Sequence, residues 1–227
     1  SSMIDNRQAL WMCFRSIGIA RFDSRSNRWK SLAAAADEPK ASIMSLLCAR
    51  DGTIWTGTRN ALVRFRGEKA EPITEIAGQP LHTITGLAED AAGRIWAASP
   101  TAFPGAWIFD STQQRWSRWL LPSPDGNSIY FEKIYVDGTG TIWLLSPERG
   151  GLWRLYNGIP RHFGIHEELS GRIIHDMLVD SKGHLWFATD AHLIRLRKTG
   201  SVYSAYHLTR ETGLAFDRVW DIEEGQD

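Results

Sequence analysis

The chain has little cysteine, no surplus of either charge, no long apolar run and almost no helix-forming stretch. Cys13 and Cys48 are the two cysteines among 227 residues, too few for a disulfide framework and without the paired spacing of a zinc site. Basic and acidic side chains balance at 26 each, so no basic face marks a nucleic acid or an anionic membrane as partner. No apolar run reaches the roughly 18 residues that a membrane-spanning helix needs, and the N-terminal part lacks the apolar core of a signal peptide. The chain therefore reads as soluble, with no membrane insertion of its own, and as a domain cut from something longer. Good helix formers are confined to the run Ala33 to Ala36, and four alanines nucleate little helix.

What is there is apolar material for a sizeable core, 43% of the residues, and an excess of tryptophan that recurs at intervals. Gly52-Thr53-Ile54-Trp55, Gly93-Arg94-Ile95-Trp96, Gly140-Thr141-Ile142-Trp143 and Gly183-His184-Leu185-Trp186 share one pattern, with Ala9-Leu10-Trp11 as a degenerate first copy. These tryptophans lie 41 to 47 residues apart. Each copy has an apolar segment upstream, such as Ile43 to Cys48 or Ile174 to Val179, ending in a polar turn. Each also has one downstream, such as Leu62-Val63-Arg64-Phe65 or Leu193-Ile194-Arg195-Leu196, and a further segment after it. Apolar runs of four to eight residues bounded by Gly, Asp and Pro are strands rather than helices. Four short strands per repeat of roughly 40 to 45 residues are the mark of a propeller blade.

The expected fold is thus all-β, a β-propeller of four-stranded antiparallel blades within a single domain. Repeats are placed near 1–42, 43–83, 84–130, 131–173 and 174–216, with a partial copy at 217–227. That makes about five blades, or a fragment of a larger, seven-bladed ring. In the five-bladed version residues 217–227 supply the innermost strand beside Trp11 and close the ring, which removes an open sheet edge. In the alternative the array is cut from a longer one and the termini never meet, and the overlap in register of Ile4 to Arg7 with Glu224 to Asp227 is what such a cut would give.

The unit Val179-Asp180-Ser181-Lys182-Gly183-His184-Leu185-Trp186-Phe187-Ala188-Thr189, followed by Leu193-Ile194-Arg195-Leu196, resembles the two-component regulator propeller repeat. So do the segments beginning at Glu89 and Asp51, and Gly213-Leu214 is similar to the family's lead-in to an inner strand. Departures are Ala98-Ser99 and Leu145-Ser146 after the tryptophan, and a first copy without the Asp-Gly turn. The resemblance implies a non-catalytic sensory propeller. It would be periplasmic and serve as the input domain of a membrane-bound bacterial signalling protein whose kinase or cyclase output lies elsewhere. It allows dimerisation through that parent protein.

A ligand would meet loops that share one face of such blades. The loop after each tryptophan strand and the loop entering each innermost strand lie at the same end, which gathers Arg15, Arg59, Asn60, His82, Tyr130, Glu148, Arg149, Arg172, His192 and Arg218. Guanidinium forks and imidazoles there suit a small molecule, a saccharide or a peptide. The 99–105 loop, Ser-Pro-Thr-Ala-Phe-Pro-Gly, is either a binding loop or a proline-stiffened connection. The repeated tryptophans are core residues that pack sheet on sheet, and Arg21, Arg64, Arg154 and Arg195 are expected to snorkel or to pair between blades.

No nucleophile elbow, phosphate-binding loop or zinc-protease motif occurs. His162 and His166, with Glu167 beside them, lack a third ligand at suitable spacing, so neither metal nor cofactor is expected. Two other functions compete with the sensor: an interaction scaffold, and an enzyme like the streptogramin lyases, which are also propellers. For a lyase, His175 with Asp176, His192 and Glu148 would supply the base.

Overall fold

A computed structural model describes residues 2–4, 9–14, 18–24, 26–32, 43–67, 69–121, 128–146, 151–162, 169, 172–199 and 202–224. The chain divides into two compact units, Ser1–Ile134 and Tyr135–Asp227.

Unit 1 holds three four-stranded sheets. The first is β1 (Ser2–Ile4), β2 (Leu10–Phe14), β3 (Gly18–Asp23) and β4 (Arg28–Leu32). The second is β5 (Ile43–Cys48), β6 (Ile54–Thr58), β7 (Leu62–Arg66) and β8 (Lys69–Ile73). After the short hairpin β9 (Glu75–Ile76) and β10 (Gln79–Pro80) comes the third sheet, β11 (Gly86–Glu89), β12 (Ile95–Ala98), β13 (Ala106–Asp110) and β14 (Arg115–Trp119). In each sheet the strands lie in chain order with antiparallel neighbours, the meander of a blade.

The fourth sheet opens with β15 (Lys133–Val136), which starts in the last two residues of unit 1, and continues through β16 (Ile142–Ser146), β17 (Gly151–Tyr156) and β18 (Ile159–His162). The fifth, wholly in unit 2, is β19 (Ile174–Val179), β20 (Leu185–Thr189), β21 (Leu193–Thr199) and β22 (Val202–Leu208). A 3-10 turn, Arg210–Thr212, follows.

Each Gly-x-[Ile/Leu]-Trp unit opens the second strand of its sheet, and that strand is the most buried. β6, β12 and β16 are buried at every position, because both faces of the strand are covered. The fourth strands are largely exposed, as in β4 and β18. Trp11, Trp55, Trp96 and Trp143 are 2–4% exposed, as their core assignment requires. Removing one such side chain from water contributes about 5 kcal/mol as an upper figure. In unit 1, Trp11 packs with Ile19, Ile54 and Phe65, and Trp55 packs with Ile95, Trp107 and Phe109. In unit 2, Trp143 packs with Met177, Phe187 and Leu196.

The expected closure by residues 217–227 is corrected by the first sheet. β1 occupies the edge of β2, with Met3 opposite Trp11, and the described residues 213–224 contain no strand. The N-terminal segment carries apolar residues at the register β2 needs, so a contiguous hairpin forms there without closing a long loop.

The four arginines of the third strands are half-buried, and their register is the same in each sheet. Arg21, Arg64, Arg154 and Arg195 stand directly opposite the tryptophan of their own sheet. The guanidinium lies over that indole at 5.8 Å for Arg21, 5.6 Å for Arg64 and 5.4 Å for Arg195. A cation over an indole face is attracted by the ring, and Arg64 adds to this an ion pair with Glu71 at 2.6 Å.

Candidate functional site

The two ends of the sheets are built by different devices. At the loop end, a hydroxyl three residues after the tryptophan folds the loop back on itself. Thr58 Oγ1 accepts from the N–H of Ala61 at 3.0 Å, Ser99 Oγ from Ala102 at 2.9 Å and Thr189 Oγ1 from His192 at 3.0 Å. Such turns present the intervening side chains outward.

In unit 1 this brings Arg59 and Asn60 beside His82, because the N–H of Thr83 donates to Arg59 O at 2.6 Å. Arg59, Asn60 and His82 are all exposed. Tyr130 is half-buried and paired in a parallel bridge with Gly105, next to the 99–105 loop. That loop is a stiffened connection. Arg118 donates to Pro104 O from Nε at 3.0 Å and Nη2 at 2.6 Å, and lies over the rings of Phe103 and Trp107. Gly105 has φ 70°, and a Cβ there would meet Trp119 O at 2.0 Å, so no other residue fits.

In unit 2 the expected residues Arg172, His192 and Arg218 gather at one loop end. Asp190 ties the segments together, accepting from the N–H of Ile173 at 3.2 Å and donating its own to Ile173 O at 3.1 Å. Val219 N–H donates to Thr189 O at 3.1 Å, and Arg218 stacks on Trp220 at 5.3 Å. His192 Nε2 meets His207 Nδ1 at 2.6 Å. Burial, then the charges of Arg172 and His207, lower the His192 pKa from its ordinary 6.5, which favours the neutral imidazole. His207 was missed from sequence because nothing marks a fourth-strand residue as facing the loop of the second. Arg15, Glu148 and Arg149 lie outside the described residues.

At the opposite end, between the first and second strands, the turns are held by an aspartate six residues before the tryptophan. Asp180 Oδ1 accepts from the N–H groups of Lys182 at 3.0 Å and His184 at 2.8 Å, while Oδ2 accepts from Trp186 Nε1 at 2.8 Å and meets His184 Nδ1 at 2.8 Å. Asp90 and Asp137 repeat the device with Trp96 and Trp143, each at 2.9 Å. Gly183 completes the turn at φ 78°, a conformation that side chains disfavour. Burial alone pushes Asp180 up, but hydrogen bonds from Trp186 and His184 outweigh it and hold its pKa at about 2. Asp137 is lowered in the same way, burial being outweighed by Thr139 and Trp143.

Two clefts open at this turn end. One, of about 520 Å³, lies in unit 1 between the second and third sheets, with Trp55, Arg64, Arg66, Glu89, Phe109 and Gln114 on its walls. Its counterpart in unit 2, about 730 Å³, has Asp137, Trp143, Arg154, Asp180, Lys198 and Tyr203. Both volumes suit a small ligand. None of the loop residues expected from sequence lines either cleft. The signal that could have found them is the alternation of the third strand, which sets Arg64 and Arg66 on one face.

Across the first cleft Glu89 accepts from the N–H of Arg50 at 2.7 Å, and Arg64 pairs with Glu71 at 2.6 Å while lying over Trp55 and Phe109. In unit 2 Glu224 accepts from the N–H and hydroxyl of Ser181.

The residues considered for catalysis are engaged elsewhere. Asp176 accepts from the Tyr135 hydroxyl and from the N–H of Ile222 at 3.2 Å, and burial with the Asp176 charge raises the Tyr135 pKa well above its usual value. His175 stacks on Trp220 at 4.1 Å, and His162 on Trp153 at 4.6 Å. His166 and Glu167 lie outside the described residues. Among the described residues no three His, Cys, Asp or Glu side chains converge as a metal site.

Residues 168–191, which span β19, the Asp180 turn and β20, match the model of the two component regulator propeller family. The chain carries a two-component regulator propeller repeat. Its fold is that of a β-propeller, similar to the extracellular domain of a protein described as the hybrid two component system BT3049 from B. thetaiotaomicron. Over that structure the TM-score is 0.74 at 18% identity, covering 96% of this chain and 29% of the other. A second extracellular domain, from the one component system BT4673 of the same organism, gives 0.75 at 17%, covering 100% and 30%. Virginiamycin B lyase from Staphylococcus aureus gives 0.71 at 16%, covering 92% and 68%. The chain spans about three-tenths of the length of the two signalling structures. No curated protein matches it. Among the described residues no helix is long and apolar enough to cross a membrane.

Proposed function

We propose that this propeller is a non-catalytic, ligand-sensing input domain, exposed to the periplasm, of a membrane-bound bacterial signalling protein. The observation that carries the reading is the regulator propeller repeat at 168–191, supported by the likeness of fold to extracellular domains of signalling proteins. Fold alone does not set activity, and the lyases share this one. The engagement of Asp176 with Tyr135 favours binding over base catalysis. At the loop end Arg59, Asn60, His82, Tyr130, Arg172, His192 and Arg218 are the residues proposed to meet ligand or partner. Arg15, Glu148 and Arg149 join that proposal on sequence alone.

A thermal-shift screen with neutral sugars, acidic sugars and short peptides tests the reading. A ligand bound to the folded state raises stability by about 2.7 kcal/mol at a hundred times its dissociation constant. A rise with one class and not the others is expected. A flat response to all of them favours an interaction scaffold and overturns sensing. Accessibility of the full-length protein to protease added to spheroplasts checks the location.

A further inference from the structure

Among the described turns between first and second strands, one in unit 1 lacks the device that holds the others. Asp90, Asp137 and Asp180 each place a carboxylate on the indole N–H of the tryptophan six residues on. Six residues before Trp55 stands Ala49, which has no carboxylate to offer. Its turn is closed instead from Asp51, whose Oδ1 accepts from the N–H of Thr53 at 2.8 Å. Ala49 and Trp55 both border the cleft of about 520 Å³, so the position filled by an aspartate side chain elsewhere opens here into a cavity.

The cations around that position are unequal. Arg50 is matched by Glu89 and Arg64 by Glu71. Arg66 is exposed, and its guanidinium donates to the neutral amide of Gln114 at 3.4 Å. It stands two residues beyond Arg64 on the same strand, hence on the same face and toward the 49–53 turn.

We infer that this cleft binds a small carboxylate-bearing ligand, whose carboxylate takes the place beside Ala49 and Trp55 that an aspartate occupies in the other turns, with Arg66 as its counter-charge. An anion held by an indole N–H and a guanidinium in a half-enclosed cleft gains from charge-assisted hydrogen bonds. The carboxylate can belong to an acidic sugar or to the end of a short peptide. The inference deepens the ligand-sensing reading, on which its biological meaning rests.

Calorimetric and thermal-shift titrations with digalacturonic acid, maltose, trialanine and trialanine amide separate the two sources. One of the two acids is expected to bind, and its neutral counterpart is not. Ala49→Asp supplies the missing carboxylate from within. It should raise the melting temperature of the free protein and weaken binding about tenfold or more, which corresponds to about 1.4 kcal/mol. Arg66→Gln, at an exposed position, should leave the melting temperature unchanged and weaken binding by a similar factor, and Arg66→Lys should restore part of it. Should Ala49→Asp fail to fold, the Arg66 pair decides. Equal binding by parent and Arg66→Gln, or binding by no acid, overturns the inference. A probe that stabilises parent and variants alike places sensing at another site, whereas a flat response to the wider screen removes the sensing reading as well.

Discussion

The 49–53 turn of unit 1 and the 137–141 turn of unit 2 stand at corresponding edges of the two clefts, and they are held by opposite means. In unit 2 the carboxylate of Asp137 takes four donors: the N–H and hydroxyl of Thr139, the N–H of Thr141 and the indole of Trp143. In unit 1 the equivalent indole belongs to Trp55, covered by the Arg64 guanidinium at 5.6 Å, and the equivalent side chain is a methyl group. The guanidinium is no substitute for the aspartate, since Trp186 has both Arg195 over its face and Asp180 on its N–H; what unit 1 lacks at Trp55 is the carboxylate. Where the aspartate is absent, the turn keeps its shape and the cleft gains a site.

The strongest way to break the comparison is Asp137→Ala, which gives unit 2 the unit 1 residue without its compensations. Four donors lose a charged acceptor, the indole among them, and a loss of about 3 kcal/mol in unfolding free energy is expected, read by urea denaturation. Acid should do the same more gently, since a protonated carboxyl still accepts. Asp180 is held at about 2 against an ordinary 3.8, so it stays ionised in the folded state when the unfolded chain already binds a proton. Its contribution is complete above about pH 4 and disappears toward pH 2. Asp180→Asn should flatten that part of the stability profile, and an unchanged profile would remove this aspartate from the account. Next in size, Ala49→Asp should stabilise the chain by about 1 kcal/mol, the net worth of a hydrogen bond to a buried donor. The smallest effect is at the other end of unit 2. His192 is lowered from 6.5, so stability should be full above that value and slip as pH falls below it, and His192→Asn should remove the slope. Melting curves between pH 5 and pH 8 would show it.

Much of the blade architecture was legible because a core tryptophan needs a strand, and a strand needs a turn, at a fixed distance. The Gly-x-[Ile/Leu]-Trp units marked the second strands. The arginines opposite Trp11, Trp55, Trp143 and Trp186 are visible in the sequence as one alternation class, but the indole each faces is not, because register across a hairpin is set by turn length rather than by composition. Residues 217–227 have the sequence of a partial repeat, yet β1 already fills the edge that such a strand would take. For the site, Arg172, His192 and Arg218 were brought together as strand direction implied. The clefts have no signature in the loops, and one of them is marked only by Ala49 standing in the aspartate's place. A missing side chain is a weak signal in one sequence and a plain one once its three counterparts are superposed.

Glu89, at the end of β11, accepts from the backbone of Arg50, and Glu224, in the segment after β22, from that of Ser181, each joining a later segment to the turn of the sheet before it. Every repeat with this pair thus carries both halves of its own connector, a socket in its turn and a plug just ahead of it. Duplicating such a segment in whole multiples would copy the joint along with the sheet. Lineages built this way can change the number of their blades by unequal recombination, provided the breakpoints fall at the same phase of the repeat.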